Sequence, residues 1–231
     1  MSDNYLPLDK ETTDFTQVKN LLKHNQQVSL TNDAYNRINK CRSFLDEKLN
    51  DSDNLFYGIN TGFGYLQNIR IDKTQLQELQ CNLIKSHACG MGEEVPADIV
   101  KLMIALKIKS LSYGNSGVQT STVERLINMY NNDVLPVIYT QGSLGASGDL
   151  APLSHLSLPL IGLGEVYHHQ VKMPASEVLK KFNWKPVELK SKEGLALING
   201  TQFMTAYGLH NLIQCNRLIN WANIIAAISF D

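Results

Sequence analysis

The sequence predicts a mainly α-helical fold with a few short strands, and three observations carry that prediction. Apolar residues recur at intervals of three and four over most of the chain. Asn/Asp and glycine clusters interrupt those stretches at helix length. Segments that read as strands are short and few. No internal repeat or low-complexity linker divides the 231 residues. We expect a mostly helical N-terminal domain over 1–114 and a second unit over 115–231.

The first clear helix carries Tyr35, Ile38, Cys41, Leu45 and Leu49 on one face, with Thr31 as its cap and Asp33 in its first turn. Asp51 to Asn54 breaks it. Leu55 to Ile59 reads as a short strand or extended segment that runs into the glycine-rich stretch Asn60 to Gly64. A second helix is expected from Lys73 to Ala88 on Leu76, Leu79 and Leu83. A third starts near Pro96, a residue suited to a first turn, and runs toward Gly114. A fourth covers Ser121 to Tyr130. Past the apolar run Val134 to Tyr139 and a second glycine-rich stretch, another helix starts at Leu150 with Pro152 in its first turn. A hairpin turning around His168 and His169 and a short helix over Ser176 to Phe182 follow.

More than half the residues from Thr201 to Phe230 are apolar, and they lie all around the helix they predict. A helix apolar on every side belongs inside a larger bundle. The chain stops at Asp231 without a Gly cap, a basic last turn or a proline. The expectation is an incomplete fold, cut in mid-helix, whose covering partners lie outside these residues.

With 21 Lys and Arg against 22 Asp and Glu, the net charge is −1 and no basic run exists. Binding along a nucleic-acid backbone or an anionic membrane is therefore not expected. No apolar run approaches the roughly 18 residues of a membrane span. Cys41, Cys81, Cys89 and Cys215 form no CxxC pair, and the N-terminus lacks a basic start with an apolar run. A cytoplasmic location is the expectation.

The stretch Gly142-Ser-Leu-Gly-Ala-Ser-Gly-Asp149 opens a helix, where backbone N–H groups and the helix dipole gather. A Walker loop would need Lys and Ser or Thr after its last glycine, whereas Asp149 follows Gly148. The dinucleotide fingerprint needs GxGxxG, and a hydrolase elbow needs GxSxG. Neither spacing is present. A capping loop fits, and so does one reading that uses every residue of Ala146, Ser147 and Gly148. In a strained turn the Gly148 nitrogen can attack the Ala146 carbonyl carbon. Ring closure with loss of water, and then loss of the Ser147 hydroxyl, leaves an electrophilic exocyclic methylene. Glycine suits the attacking position because it lacks Cβ and tolerates unusual dihedrals.

At these residues the chain resembles the histidine and aromatic amino-acid ammonia-lyases. The match runs from Gly142 to Leu153, the signature around that family's self-made methylidene-imidazolone. Three further blocks stand in the family's order: Tyr57 to Gly64, Ser86 to Gly90, and Glu193 to Thr201. The resemblance implies the N-terminal part of the ammonia-lyase/aspartase-like helical-bundle fold. It also implies an electrophile formed autocatalytically from Ala146, Ser147 and Gly148, with no metal. His87-Ala-Cys89 lacks the further spaced ligands that a metal site needs.

By the same resemblance, Tyr57 is the base for the substrate β-proton. An ordinary phenol, of pKa about 10, is a poor base at neutral pH, so such a site has to stabilise the phenolate. Ser86 and His87 form the pair found in members that act on histidine. An apolar residue at position 87 would leave a substrate imidazole unpaired, at a cost on the order of 1–3 kcal/mol. Asn199 is implied to contact the electrophile and substrate. Asp149 assists cyclisation or caps the helix that follows it, and Gly64 supports the Tyr57 loop. His155, His168, His169 and His210 read as surface or satisfied histidines.

The implied reaction is elimination of ammonia from L-histidine to trans-urocanate. Family members are roughly twice as long and form homotetramers that build each site from several subunits. This chain alone is therefore expected to be inactive. Two alternatives stay open: a lyase or aminomutase acting on phenylalanine or tyrosine, and a non-catalytic helical assembly module.

Overall fold

The computed structural model describes residues 5–11, 13–23, 26–51, 54–62, 68–69, 71–72, 75–144 and 148–230. Strands β1 (Tyr5–Leu8) and β2 (Gln27–Leu30) pair in parallel, with α1 (Phe15–Lys23) between them in the chain. Helix α2 (Asn32–Asp51) starts where its cap was expected: Thr31 Oγ1 accepts the Ala34 N–H at 3.1 Å. The segment Leu55 to Ile59, expected as a short strand or extended segment, enters no strand, and from Tyr57 to Asn60 the chain is a turn. Ile59 and Asn60 donate their N–H groups to the Phe56 carbonyl at 3.0 and 3.2 Å. Asn60, 7% exposed, accepts from the Phe56 N–H at 2.6 Å and donates to the Asn54 carbonyl at 2.8 Å. A short amide side chain that serves its own backbone displaces the strand pairing that the apolar run suggested.

Helix α3 (Leu76–His87) leads into β3 (Met91–Glu94), and α4 (Ala97–Ser112) follows. Pro96 stands at the N-cap of α4 rather than in its first turn, with ψ 142°. Its carbonyl accepts from Ile99 and Val100. Helix α4 is the centre of the molecule. Ile99, Leu102, Met103, Ile104, Ile108 and Leu111 are buried around most of its circumference, and it packs on α1, α2, the next helix in the chain and the last one. Helix α5 (Thr120–Asn131) buries Val123, Leu126, Ile127 and Tyr130 as its periodicity predicts. Strand β4 (Val134–Pro136) and β5 (Tyr139–Gln141) divide the apolar run, and β5 pairs antiparallel with β3.

Helix α6 (Leu150–Ser157) continues into a 3-10 turn over Leu158–Ile161. The expected hairpin exists as β6 (Glu165–His168) and β7 (Val171–Pro174), which extend the sheet from β4. Its turn lies one residue later than expected, on His169 and Gln170, whose φ values of 49° and 65° give the left-handed pair of a tight hairpin. Helices α7 (Ala175–Lys181) and α8 (Glu193–Ile198) precede α9 (Gln202–Phe230).

The N-terminal part of α9 packs on α4, burying Gln202 and Ala206. Its outer part stays open, with Leu218, Trp221, Ile225 and Ile228 exposed and Phe230 94% exposed. No helix of the described residues is long and apolar enough to cross a membrane.

Candidate active site

Helices α3, α6 and α8 pack on one another and bring three of the four sequence blocks together. Their approach depends on missing side chains. A Cβ on Gly194, at the start of α8, would lie 2.6 Å from the Gln80 carbonyl oxygen of α3. A Cβ on Gly142 would lie 3.0 Å from the Cα of Gly90. The Gly90 N–H donates to His155 Nε2 at 3.0 Å, which ties the end of the Ser86 block to α6. His155 also meets Tyr139 edge-on, with centroids 5.2 Å apart. Burial pushes the His155 pKa down and so favours the neutral ring that this acceptor role needs.

Ala146, Ser147 and Gly64 lie outside the described residues. Gly148 and Asp149 are described, and they meet the turn after α8. Gly148 adopts φ 99°, and a Cβ there would stand 2.5 Å from the Gly200 carbonyl oxygen. That oxygen accepts the Asp149 N–H at 2.8 Å. Ser143 Oγ donates to the Gly148 carbonyl at 3.0 Å.

Asp149 is 3% exposed, but its carboxylate does not cap α6. Oδ2 accepts from the N–H groups of Phe203 and Met204, at 2.9 and 3.1 Å, in the first turn of α9. Of the two roles considered for Asp149, the cap is corrected to a different helix, one 54 residues along the chain. The reason is the Asp149–Gly200 bond, which draws the α9 N-terminus onto this side chain. Asp149→Ala should cost about 0.5–2 kcal/mol in urea denaturation, and Asp149→Asn, which keeps an acceptor, a smaller amount. Equal losses for the two variants would show that the cap is not what Asp149 supplies.

Ser86 and His87 end α3. Ser86 Oγ donates to the Leu83 carbonyl at 3.0 Å, and His87 Nδ1 lies 3.0 Å from the same oxygen. A carbonyl only accepts, so this contact puts a proton on Nδ1 and leaves Nε2 of the neutral ring as an acceptor. Tyr57 lies on the turn described above and is 55% exposed. Asn199 is the extended residue that leaves α8, with ψ 128°. Clefts of about 470 and 590 Å³ lie elsewhere, around Glu94 and Tyr167 and around Tyr130 and His168, and none of Tyr57, His87 and Asn199 lines them.

Sequence reasoning missed the polar clamp on α8. Gln80 Oε1 accepts the Gly194 N–H at 2.9 Å. Glu193 is fully buried and accepts from the Gln119 N–H (2.8 Å), Thr122 Oγ1 (2.6 Å), Gln119 Nε2 (2.6 Å) and the Lys190 N–H (2.8 Å). At the other end Lys107, 1% exposed, donates to the carbonyls of Ala196 and Asn199 at 2.7 and 2.9 Å. A signal existed: Lys107 falls on the apolar stripe of α4, three residues after Ile104 and four before Leu111.

Burial pushes the Lys107 pKa down to about 7. In the unfolded chain the amine recovers its usual value near 10.4, so between those values the unfolded state binds more protons. The cost of burying this group is full below pH 7 and is relieved as pH rises. Lys107 therefore adds stability with pH from about 7 to 10, by up to about 1.4 kcal/mol per pH unit. Urea unfolding at pH 7, 8 and 9 should show that slope in the parent and not in Lys107→Met. Parallel pH dependence in the two proteins would refute it.

Solved structures that resemble this fold include ammonia-lyases and aminomutases. Histidine ammonia-lyase from Trypanosoma cruzi superposes with a TM-score of 0.84 at 34% identity, covering 93% of this chain and 41% of that one. Pantoea agglomerans phenylalanine aminomutase gives 0.87 at 31%, covering 94% and 42%. The architecture is thus that of the ammonia-lyase and aminomutase class. In sequence, a histidine ammonia-lyase from Deinococcus radiodurans is 46% identical over 215 residues, 93% of this chain and 41% of the relative. The family model for aromatic amino acid lyases matches residues 13–231, and the chain belongs to that family. It spans about two fifths of the length of the curated relatives it matches.

Proposed function

We propose that this chain is part of a carbon–nitrogen lyase that eliminates ammonia from L-histidine to give trans-urocanate, a step of histidine breakdown. The observation that carries the reading is the contact of Gly148 with Gly200. It holds the last residue of the Ala146-Ser147-Gly148 sequence in a conformation only glycine accepts readily, beside the α9 N-terminus. These residues suit a methylidene-imidazolone: the Gly148 nitrogen is unhindered by a Cβ, and its carbonyl is held by Ser143. That group supplies an electrophilic methylene to which a substrate amine adds, with no metal involved.

The chain's own residues do the rest. His87 offers Nε2 to the N–H of a substrate imidazole, and its bond to Leu83 holds the ring in that tautomer. Ser86, through its contact with His87 Nδ1 at 3.0 Å, helps to set the ring. Asn199 contacts the substrate and the electrophile, and Tyr57 takes the β-proton. Gly64 supports the Tyr57 loop, and Asp149 supports the turn that follows the electrophile.

The whole protein is read as a cytoplasmic homotetramer. The exposed apolar face of α9 supports assembly. Residues 1–114 and 115–231 are read as its N-terminal unit and the start of its central bundle. The 231-residue chain alone is expected not to turn over histidine, and turnover by the pure chain would overturn that expectation.

Intact mass tests the central claim. A loss of two waters, abolished by Ser147→Ala, is expected in the whole protein, and an unmodified mass sinks the electrophile. His87→Phe should lower kcat/KM for histidine at least tenfold, consistent with the loss of one hydrogen bond to a buried polar group. An unchanged value removes His87 from substrate selection. The superposition on the Pantoea aminomutase favours a second reading, an aromatic amino-acid lyase or aminomutase. A phenylalanine or tyrosine preference in the whole protein, or a β-amino acid product, would establish it.

A further inference from the structure

We propose that Lys107 is a positioning residue for this site: from α4 it grips the carbonyls of Ala196 and Asn199 and so sets the Asn199–Gly200 elbow against Gly148. The inference rests on the function proposed above. A lysine with 1% exposure is an expensive way to fill a core position that a methionine could fill. What it supplies is donors. The last carbonyls of a helix have no partner further along the helix; at the end of α8 the Leu195 carbonyl takes the Asn199 N–H, and the carbonyls of Ala196 and Asn199 take the Lys107 amine.

The two carbonyls that Lys107 holds stand on either side of the point where the chain leaves α8. Ala196 is in the helix, and Asn199 is the first extended residue. Bonds at 2.7 and 2.9 Å to both from one nitrogen fix the direction of exit. One residue on, the Gly200 carbonyl accepts the Asp149 N–H and leaves no room for a Cβ on Gly148. A shift of the elbow therefore reaches Gly148, the last residue of the Ala146-Ser147-Gly148 sequence, through a single hydrogen bond and a backbone contact. Gln80 and Glu193 hold the opposite end of α8, and Lys107 is the side chain that holds its Asn199 end, beside the backbone bonds of Asn199 to Leu195 and of Asp149 to Gly200.

The test compares Lys107→Met with Met103→Ala in the whole protein. Met103 is a fully buried neighbour on α4 with no polar contact to the elbow, so its truncation loosens the core alone. Lys107→Met should remain folded by circular dichroism. Its Asp149 amide should exchange with deuterium at least tenfold faster than in Met103→Ala. The fraction of Ser147-containing peptide lacking two waters should fall at least fivefold, and kcat should fall more than tenfold while KM changes less than threefold. If Lys107→Met does not fold, Lys107→Gln, which keeps a shorter donor, should give the same changes in weaker form.

Exchange and dehydration equal to those of Met103→Ala would reduce Lys107 to packing and overturn the proposal. A parent protein without dehydrated Ser147 would instead defeat the functional reading. The exchange of the Asp149 amide would then still decide the role of Lys107.

Discussion

Gly148→Ala is expected to destabilise the protein by several kcal/mol and to prevent loss of water at Ser147. Two costs add. The first is conformational: φ 99° lies outside the regions that alanine occupies, and a strained residue costs on the order of 1–3 kcal/mol. The second is steric. The new Cβ would stand 2.5 Å from the Gly200 carbonyl oxygen and 3.3 Å from its carbon, both backbone atoms. That oxygen is held by the Asp149 N–H, and the preceding residue by Lys107, so retreat breaks further bonds. Overpacking of this kind costs about 1–3 kcal/mol. Urea denaturation measures the sum, and intact mass reports the chemistry. A variant within about 0.5 kcal/mol of the parent would be incompatible with the close approach of the two glycines.

The second large effect is expected at Glu193. Truncation to alanine removes the acceptor of four hydrogen bonds. Gln119 Nε2 also donates to the Glu188 carbonyl and keeps that partner. The Gln119 and Lys190 N–H groups and the Thr122 hydroxyl are left without theirs. Unsatisfied buried donors cost about 1–3 kcal/mol each, less where water enters. We expect Glu193→Ala to lose on the order of 3–5 kcal/mol, measured by urea or thermal unfolding. Glu193→Gln should lose less, because it keeps one acceptor oxygen but turns an N–H₂ toward groups that are themselves donors. A loss below about 1 kcal/mol for the alanine variant would mean that water or another acceptor replaces the carboxylate.

Both effects concern α8, a six-residue helix that owes its place to tertiary bonds at each end. Isolated helices of this length do not persist in water. The α8 segment is legible in the sequence only as part of the Glu193 to Thr201 block. Neither its helical form nor its partners follow from local pattern.

The same division runs through the other elements. Helices α2, α4 and α5 could be read directly, because α2 and α5 bury a stripe and α4 most of its circumference at apolar positions that local periodicity displays, and Thr31 caps α2 as its position predicts. The hairpin of β6 and β7 could be placed to within a residue. The turn at Tyr57 could not, since the apolar run Leu55 to Ile59 ends on Asn60, whose side chain bonds the backbone of Asn54 and Phe56. Asp149 was legible as a helix cap, but the helix it serves comes from far along the chain.

The sequence by itself determined a mainly helical chain, the order of its elements, the four blocks that mark an amino-acid lyase, and a last helix apolar on every side. These are local properties: periodicity, residue type and spacing. Only the tertiary structure decided that Gly148 faces Gly200, that Asp149 caps α9, and that Lys107 holds the exit from α8. Each of those depends on a donor, an acceptor or an absent Cβ supplied by residues 50 or more positions away, a distance over which local pattern carries no information.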